Sequence, residues 1–287
     1  MRCRDRAGNE INENNMQDKV LSVLYGTKMG RALLGVLVKP AVSKLAGLFL
    51  DSAASKFLIS PFIKRTGIDM SEYIETNYRS YNDFFTRRIK SACRVADMTP
   101  EHLISPCDGK LSVFPISDDS IFTVKNTGYT LDTLFRNKKL ARHYRGGTLL
   151  MFRLCVNDLH RYRFIDNGIK TKTHHIKGIF HTVNPTASDY YPIYKENTRE
   201  FCILKSENFG NVLTMEVGAM FVGKIINYSA KKEVKRGEEK GRFEFGGSTI
   251  ILCLEKNTAI IDEDIIANST EGIETIVKSG EKIGIAM

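Results

Sequence analysis

Along the first third of the chain, apolar residues return every three or four positions. MQDKVLSVLYGTKMGRALLGVLV and VSKLAGLFLDSAASKFLISPF each gather them on one helical face, with Pro40 and Pro61 breaking the pattern. Residues 17–95 therefore predict helices. Asp69 or Ser71 can cap one through SEYIETNYRS, and Asn82 or Asp83 the next. Past residue 100 the texture changes. KLSVFPI, IFTVK, GTLLMFRLCV, KGIFHTV, REFCILKSE, NVLTMEVGAMFVGKIINY, STIILCLE and NTAIIDEDII read as short strands divided by Gly, Asn, Asp and Pro. TLDTLFRNKKLARHY predicts a single helix among them. The fold class is α+β: an N-terminal helical region over 1–95, then a mainly antiparallel, barrel- or sandwich-like β domain over 96–287.

A short pattern, Val-Lys-x-Gly-Glu-x-x-Gly, occurs twice, as VKRGEEKG (234–241) and VKSGEKIG (277–284). Each copy reads as a strand end, a turn and a return, as in the folded-over β hammerheads of lipoyl- and biotinyl-type domains. Two short copies make a weak repeat, and chance also produces them.

Composition adds a charge asymmetry. The chain has 287 residues, 42% hydrophobic and 26% charged, which fits a globular protein rather than a disordered or fibrous one. Residues 1–95 hold 16 Lys+Arg against 9 Asp+Glu, a net +7, while the rest hold 26 against 24, a net +2. Lys28, Arg31, Lys39, Lys44, Lys56, Lys64 and Arg65 are spread among the apolar residues of the helical stretch. Such helices either lie in an anionic membrane interface or pack on the protein's own core with lysines facing water. Aromatic residues are not set into a basic groove, so nucleic acid is not an expected partner. The start, MRCRDRAGNEINENN, predicts no secretory signal. No run reaches the roughly 20 apolar residues needed to span a bilayer. Cys3, Cys93, Cys107, Cys155, Cys202 and Cys253 are widely spaced, which argues against structural zinc. His102, His143, His174, His175 and His181 show no metal-ligand spacing, and no metal is expected.

Three stretches carry candidate chemistry. In FEFGGSTIILCLEK, Gly246 and Gly247 precede Ser248 and Thr249. A glycine pair is an ordinary turn, but it also leaves the Gly247 carbonyl open to attack by the Ser248 hydroxyl once a base takes its proton. In SPCDGKL, Asp108-Gly109 is a turn signal whose carboxylate could orient a histidine. In CVNDLHRYRFIDNG, His160 could accept and return a proton near neutral pH.

Taken in order, these stretches resemble the phosphatidylserine decarboxylase proenzymes of prokaryotic type, which depend on a pyruvoyl group. The resemblance runs from about residue 80 onward through YNDFFTRRIK, ISPCDGK, RLCVNDLHRYRFIDNG, the segment from HTVNP to YKENTRE, KSENFG, MEVGAMFVGKI, KRGEEKGRFEFGGST and SGEKIG. It implies self-cleavage between Gly247 and Ser248 into fragments 1–247 and 248–287, with Ser248 becoming the pyruvoyl cofactor. That ketone would capture the substrate amine as a Schiff base and hold the electrons left by departing carbon dioxide. It implies catalytic roles for Asp108, His160 and Ser248, with Asp108 as the triad acid and His160 linked to the decarboxylation step. It also implies a phosphatidylserine substrate, a homodimer of processed protomers, and a peripheral place on the cytoplasmic side of the cell membrane.

The chain departs from the family pattern in three places. Gly246 stands for the usual leucine and Leu159 for the usual tyrosine. Arg163 stands where the family has a second histidine, the usual base. Arginine stays protonated at neutral pH and cannot serve. His160 could do both jobs, His181 could supply the base, or self-cleavage could be slow or absent. Two other readings compete with a lipid decarboxylase: a non-catalytic hammerhead that binds a lipid or partner, and a pyruvoyl decarboxylase of a soluble amino acid.

Overall fold

The computed structural model describes residues 2–12, 26–37, 40–124, 127–178, 196–218, 224–228, 232–244 and 248–287. In chain order, strands β1 (Arg2–Arg4) and β2 (Glu10–Asn12) precede helices α1 (Lys28–Leu37), α2 (Pro40–Asp51), α3 (Ile59–Thr66) and α4 (Tyr81–Phe85). Then come β3 (His102–Ile104), β4 (Gly109–Pro115), β5 (Ile121–Val124), β6 (Thr127–Thr130), α5 (Leu131–Phe135), α6 (Lys138–His143) and β7 (Thr148–Leu154). The next strands are β8 (Arg161–Arg163), β9 (Gly168–Lys170), β10 (His174–Ile176), β11 (Arg199–Ser206), β12 (Asn211–Val217), β13 (Ile225–Asn227), β14 (Glu233–Val234) and β15 (Glu239–Phe243). The chain ends with β16 (Ser248–Leu254), β17 (Ala259–Ile261), α7 (Glu263–Thr270), β18 (Glu274–Val277) and β19 (Lys282–Ala286).

The mixed α+β class and the mainly antiparallel pairing match the sequence expectation. The barrel does not. The main sheet is open, in the order β14-β9-β11-β12-β16-β7-β4-β18-β1-β2, with β10 also on β11. Two three-stranded sheets, β13-β15-β8 and β17-β19-β3, complete a layered rather than closed arrangement.

The helical region does not begin at residue 1 either. Cys3 pairs in parallel with Glu274, so β1 and β2 extend the main sheet. Arg4 bonds Asn268 and Glu271, and Arg6 bonds Asp262 and Asp264, which fixes this segment to α7. Three-residue strands carry too little periodicity to be read in a charged sequence. SEYIETNYRS forms no long helix: Asp69 caps only the turn Met70–Glu72, and Ser80 rather than Asn82 or Asp83 caps α4. The single helix expected near 130–144 is two, because Arg136 adopts a left-handed conformation and Asn137 caps the second. KGIFHTV falls mostly outside the described residues.

The weak sequence echo marks a real duplication. Gly237 and Gly280 both have positive φ, and in each turn the glutamate that follows accepts a backbone N–H three residues back, Glu238 from Lys235 and Glu281 from Lys278. Phe164 brackets the first turn, donating to Glu238 O and accepting from Gly237 N–H, as Ser105 brackets the second with Glu281 and Gly280. Strand registers agree throughout. Leu103 faces Gly284 and Tyr162 faces Gly241, each beside an equivalent bulge; Ile261 faces Gly284 as Asn227 faces Gly241; Val277 faces Gly109 as Val234 faces Gly168. In the main sheet, β16 pairs with β12 about a pseudo-twofold axis through the Thr214–Leu252 pair: Leu213 faces Cys253 and Met215 faces Ile251. The axis exchanges β7 with β11 and β4 with β9.

The sheet is buried on both faces. One covers Met151, Met215, Ile251 and the helices α5 and α6; the other covers Leu150, Phe152, Ile250 and Leu252 beneath the two small sheets. A satellite core of Phe62, Tyr78, Tyr81, Phe84 and Phe85 holds the helical layer.

At the equivalent bulges the third strand comes very close. A Cβ on Gly241 would sit 2.2 Å from Ile226 O, and one on Gly284 2.5 Å from Ile260 O. Gly241→Ala and Gly284→Ala should each cost about 1–3 kcal/mol or more. A wild-type urea midpoint for either variant would show that the backbones are not in contact.

Candidate active site

The register of the main sheet brings three of the sequence candidates to one end. Ser248 opens β16 opposite Leu154, the last residue of β7. Gly109 opens β4 against Arg153 and Leu154, so Asp108 precedes β4 at the same edge. His160 follows the turn that leaves β7, and its carbonyl accepts from Phe243 N–H at 2.9 Å at the end of β15. Gly247, Gly246 and His181 lie outside the described residues.

The turn after β7 is built to hold His160. Lys110 reaches Asp158 at 2.9 Å, and the Asp158 carboxylate also accepts from Cys155 N–H at 2.7 Å. Burial raises the Asp158 carboxyl, but the Lys110 ammonium and these bonds override it, and the net shift is downward. The Asp158 carbonyl lies 3.0 Å from His160 Nδ1. A carbonyl only accepts, so Nδ1 carries the proton and Nε2 keeps its lone pair. Phe85 lies against the imidazole with ring centroids 4.2 Å apart. Burial lowers the His160 pKa to about 4, so the ring is neutral at pH 7.

Eight buried side-chain polar atoms among the described residues lack a hydrogen-bond partner, and four of them, on His160, Ser248, Thr249 and Ser279, belong to a histidine or an aliphatic hydroxyl. His160 Nε2 and Ser248 Oγ are both fully buried, and neither has a hydrogen-bond partner. Buried polar atoms are normally paired, so each orphan costs stability. The other described histidines are occupied elsewhere: His102 with Asp97, His143 with Glu255, His175 with Glu200, and His174 stacked on Phe201.

Asp108 is placed differently from a histidine-orienting acid. Arg94 grips it from Nε at 3.0 Å and from Nη2 at 2.9 Å, and Ser279 N–H donates to it at 2.8 Å. Arg163, in the position of the family's second histidine, donates to the Arg94 carbonyl at 2.9 Å, and its N–H donates to Pro106 O at 2.8 Å. Burial lowers the Arg163 pKa, with Asp108 opposing it. Among the described residues Asp108 thus meets arginines and a backbone amide. The duplication sets this frame: Asn167 accepts from Arg236 N–H at 3.0 Å where Asp108 accepts from Ser279.

Sequence reasoning missed Arg94 and Ser279. Ser279 Oγ is also buried without a partner. The repeated Val-Lys-x-Gly turn held a signal for it, since it aligns Ser279 with Arg236. Nothing local marks Arg94. Among the described residues no group of three or more His, Cys, Asp or Glu is arranged to hold a metal.

Residues 81–285 match the family model described as phosphatidylserine decarboxylase. A phosphatidylserine decarboxylase proenzyme 2 of Clostridium acetobutylicum is 46% identical over 273 residues, covering 95% of this chain and 94% of that protein. A phosphatidylserine decarboxylase proenzyme of Clostridium tetani is 44% identical over 272 residues, covering 93% and 92%. One of Ruminiclostridium cellulolyticum is 43% identical, covering 93% and 91%.

The buried imidazole has a consequence for stability. An unfolded chain takes up the His160 proton near pH 6.5, whereas the folded chain refuses it until about pH 4. The stabilising difference is present above pH 6.5 and is lost as pH falls toward 4. Through this group alone, folding free energy should drop by roughly 2 kcal/mol between pH 7 and pH 5. Denaturant titrations at both pH values, on wild type and His160→Gln, would show the drop shrinking in the variant; equal slopes would contradict a neutral buried ring.

Proposed function

Since the chain belongs to the phosphatidylserine decarboxylase family, and so removes carbon dioxide from phosphatidylserine to leave phosphatidylethanolamine, we propose that Ser248 and His160 generate its cofactor. The observation that carries this reading is the pair of orphaned buried atoms, Ser248 Oγ and His160 Nε2. An unpaired hydroxyl at the first residue of a strand fits a group about to be consumed.

In this reading His160 Nε2 takes the Ser248 hydroxyl proton. The oxygen attacks the Gly247 carbonyl carbon, the peptide C–N bond breaks, and the released nitrogen takes a proton, leaving an ester. Loss of the residue-248 α-proton then expels the Gly247 carboxylate and leaves a dehydroalanine. Water enters, ammonia leaves, and residue 248 ends as a pyruvoyl group on fragment 248–287. That ketone supplies the electron sink that no ordinary side chain offers.

Asp108 and Arg94 belong to the frame of this site. The Arg94 fork fixes the carboxylate bidentately, and Arg163, bonded to the Arg94 carbonyl, is a cation rather than a base. His160 is therefore the leading base, and His181 the second candidate. Intact mass should give two fragments, 1–247 and a smaller one blocked at its N-terminus. His160→Ala should leave the chain whole on a denaturing gel. Normal cutting in that variant would remove His160 from the step.

The helical layer supports a peripheral membrane role. Leu45, Leu48, Phe49 and Phe57 are exposed, and so are Lys56, Lys64 and Arg65. Apolar and basic side chains exposed together suit an anionic lipid interface. No single described helix is long and apolar enough to cross a membrane; the bent pair Leu45–Asp51 and Ala53–Thr66 passes by composition but turns through 80°. The reading places the helical layer α1–α4 at the cytoplasmic side of the cell membrane, with residues 96–287, extended by β1 and β2, as the decarboxylase domain. A homodimer of processed protomers is part of the reading and rests on the family resemblance. The protein should sediment with anionic vesicles and come off in high salt. Equal binding to neutral vesicles would remove the electrostatic part.

A further inference from the structure

Glu216, Lys240 and Asn227 form a buried polar cluster that the self-cleavage steps above do not use. We propose that the three are positioning residues, a clamp that aligns the Gly247–Ser248 junction for attack. The proposal rests on the self-cleavage reading and adds to it.

The cluster is tightly bonded. Lys240 Nζ donates to Glu216 Oε1 at 2.6 Å and to Asn227 Oδ1 at 2.8 Å. Asn227 Nδ2 donates to Glu200 Oε2 at 2.9 Å and, at 3.3 Å, to Glu216 Oε2. The Lys240 side chain is 3% exposed and that of Glu216 is 0%. Taking both charges out of water is expensive, and well-packed hydrocarbon in the same place is often as stable or more so.

The duplicated fold contains its own control. The pseudo-twofold axis carries Glu216 onto Leu254, Lys240 onto Ile283 and Asn227 onto Ile261. Lys170, also buried, maps onto Leu111. These four counterparts are all buried and apolar. The same backbone in the same layers is thus closed at its other end by aliphatic side chains. Stability alone does not call for an ion pair here.

Its position suggests what does. Glu216 faces Ile250 across β12 and β16, two residues along from Ser248 and on the same face of the sheet. Diagonal neighbours of this kind sit about 7–8 Å apart. Lys240 lies on β15, which leads the chain toward the junction, and Phe243 at its end holds the His160 carbonyl. The clamp therefore ties the strand that enters the scissile peptide to the strand flanking the one that leaves it. Attack requires the reacting atoms to be held within about 3–3.5 Å, and a tether across the layers restricts how the entering strand can shift.

The test transplants the apolar end: Glu216→Leu, Lys240→Ile and Asn227→Ile together. Melting is compared in a Ser248→Ala background, so that both proteins are uncut, and the rate of cutting is followed by gel in the Ser248 background. The clamp should give a melting temperature equal to or above the parent and cutting at least tenfold slower. Slower cutting without lost stability is a result a merely structural role would not give. Cutting at the parent rate overturns the proposal. A triple variant that melts lower or fails to fold overturns it too, because the cluster is then needed for the fold. A wild-type chain that never cuts is a separate failure, which removes the self-cleavage reading and the clamp with it.

Discussion

The structure depends on β16 being paired on both sides almost from its start, with β7 from Ser248 and with β12 from Thr249. Ser248 to Leu254 are all buried, paired with β7 along one edge and β12 along the other. This strand lies beside the pseudo-twofold axis and separates the two faces of the core. A break just before Ser248 removes a connection and leaves the ladder intact. Everything after it is anchored as well, since β17 and β19 complete one small sheet and β18 pairs with β4. The same burial leaves the Ser248 hydroxyl unpaired and away from water, which costs stability.

The duplicated fold shows how that cost is concentrated. Two ends of one sheet share a backbone and differ in side chains. At one end stand Asp108, Ser279, Ser248 and the Glu216–Lys240 pair; at the other stand Asn167, Arg236, Gly210 and a set of aliphatic residues. The second end has no orphan comparable to Ser248, because Gly210 has no side chain and its carbonyl accepts from Ser206 N–H at 2.9 Å. Both ends bury charge, but at the second the Arg236–Asp166 pair is also bonded to His102 O and Pro100 O, whereas the first combines buried charge with unpaired atoms, which work against stability. Such a combination is sustained where the surrounding structure is over-determined. Here that structure is the paired β16 and the mirrored turns at Gly237 and Gly280.

Much of this was legible in the sequence, and the failures have physical causes. Long buried strands such as β7, β12 and β16 announce themselves as apolar runs. Three-residue strands such as β1, β3 and β8 do not, because their partners are remote and supply the hydrogen bonds. The barrel expectation failed because short strands with turns look alike whether a sheet closes or stays open; only the pairing order separates the two. Asp108, His160 and Ser248 were singled out through motif order, and the sheet register places them at one end of the main sheet. That Asp108 would be gripped by Arg94 was not, since the partner lies fourteen positions away in a stretch of ordinary basic residues. The repeated turn was dismissible as eight residues of chance, yet it was the visible trace of the whole fold's symmetry.

The helical layer is more than an attachment, because it reaches the His160 imidazole directly. Phe85 of α4 packs on His160, and Arg87 donates to the Asn157 carbonyl in the turn that positions that ring. Arg161, next to His160, donates in return to the carbonyls of Thr86 and Arg87. The satellite core to which Phe85 belongs also includes Leu50 of α2, the helix that exposes Leu48 and Phe49. On the proposed reading the exposed face of this layer meets the bilayer, and Phe85 then sets His160 against the inner side of the same layer, where burial keeps the ring neutral at pH 7.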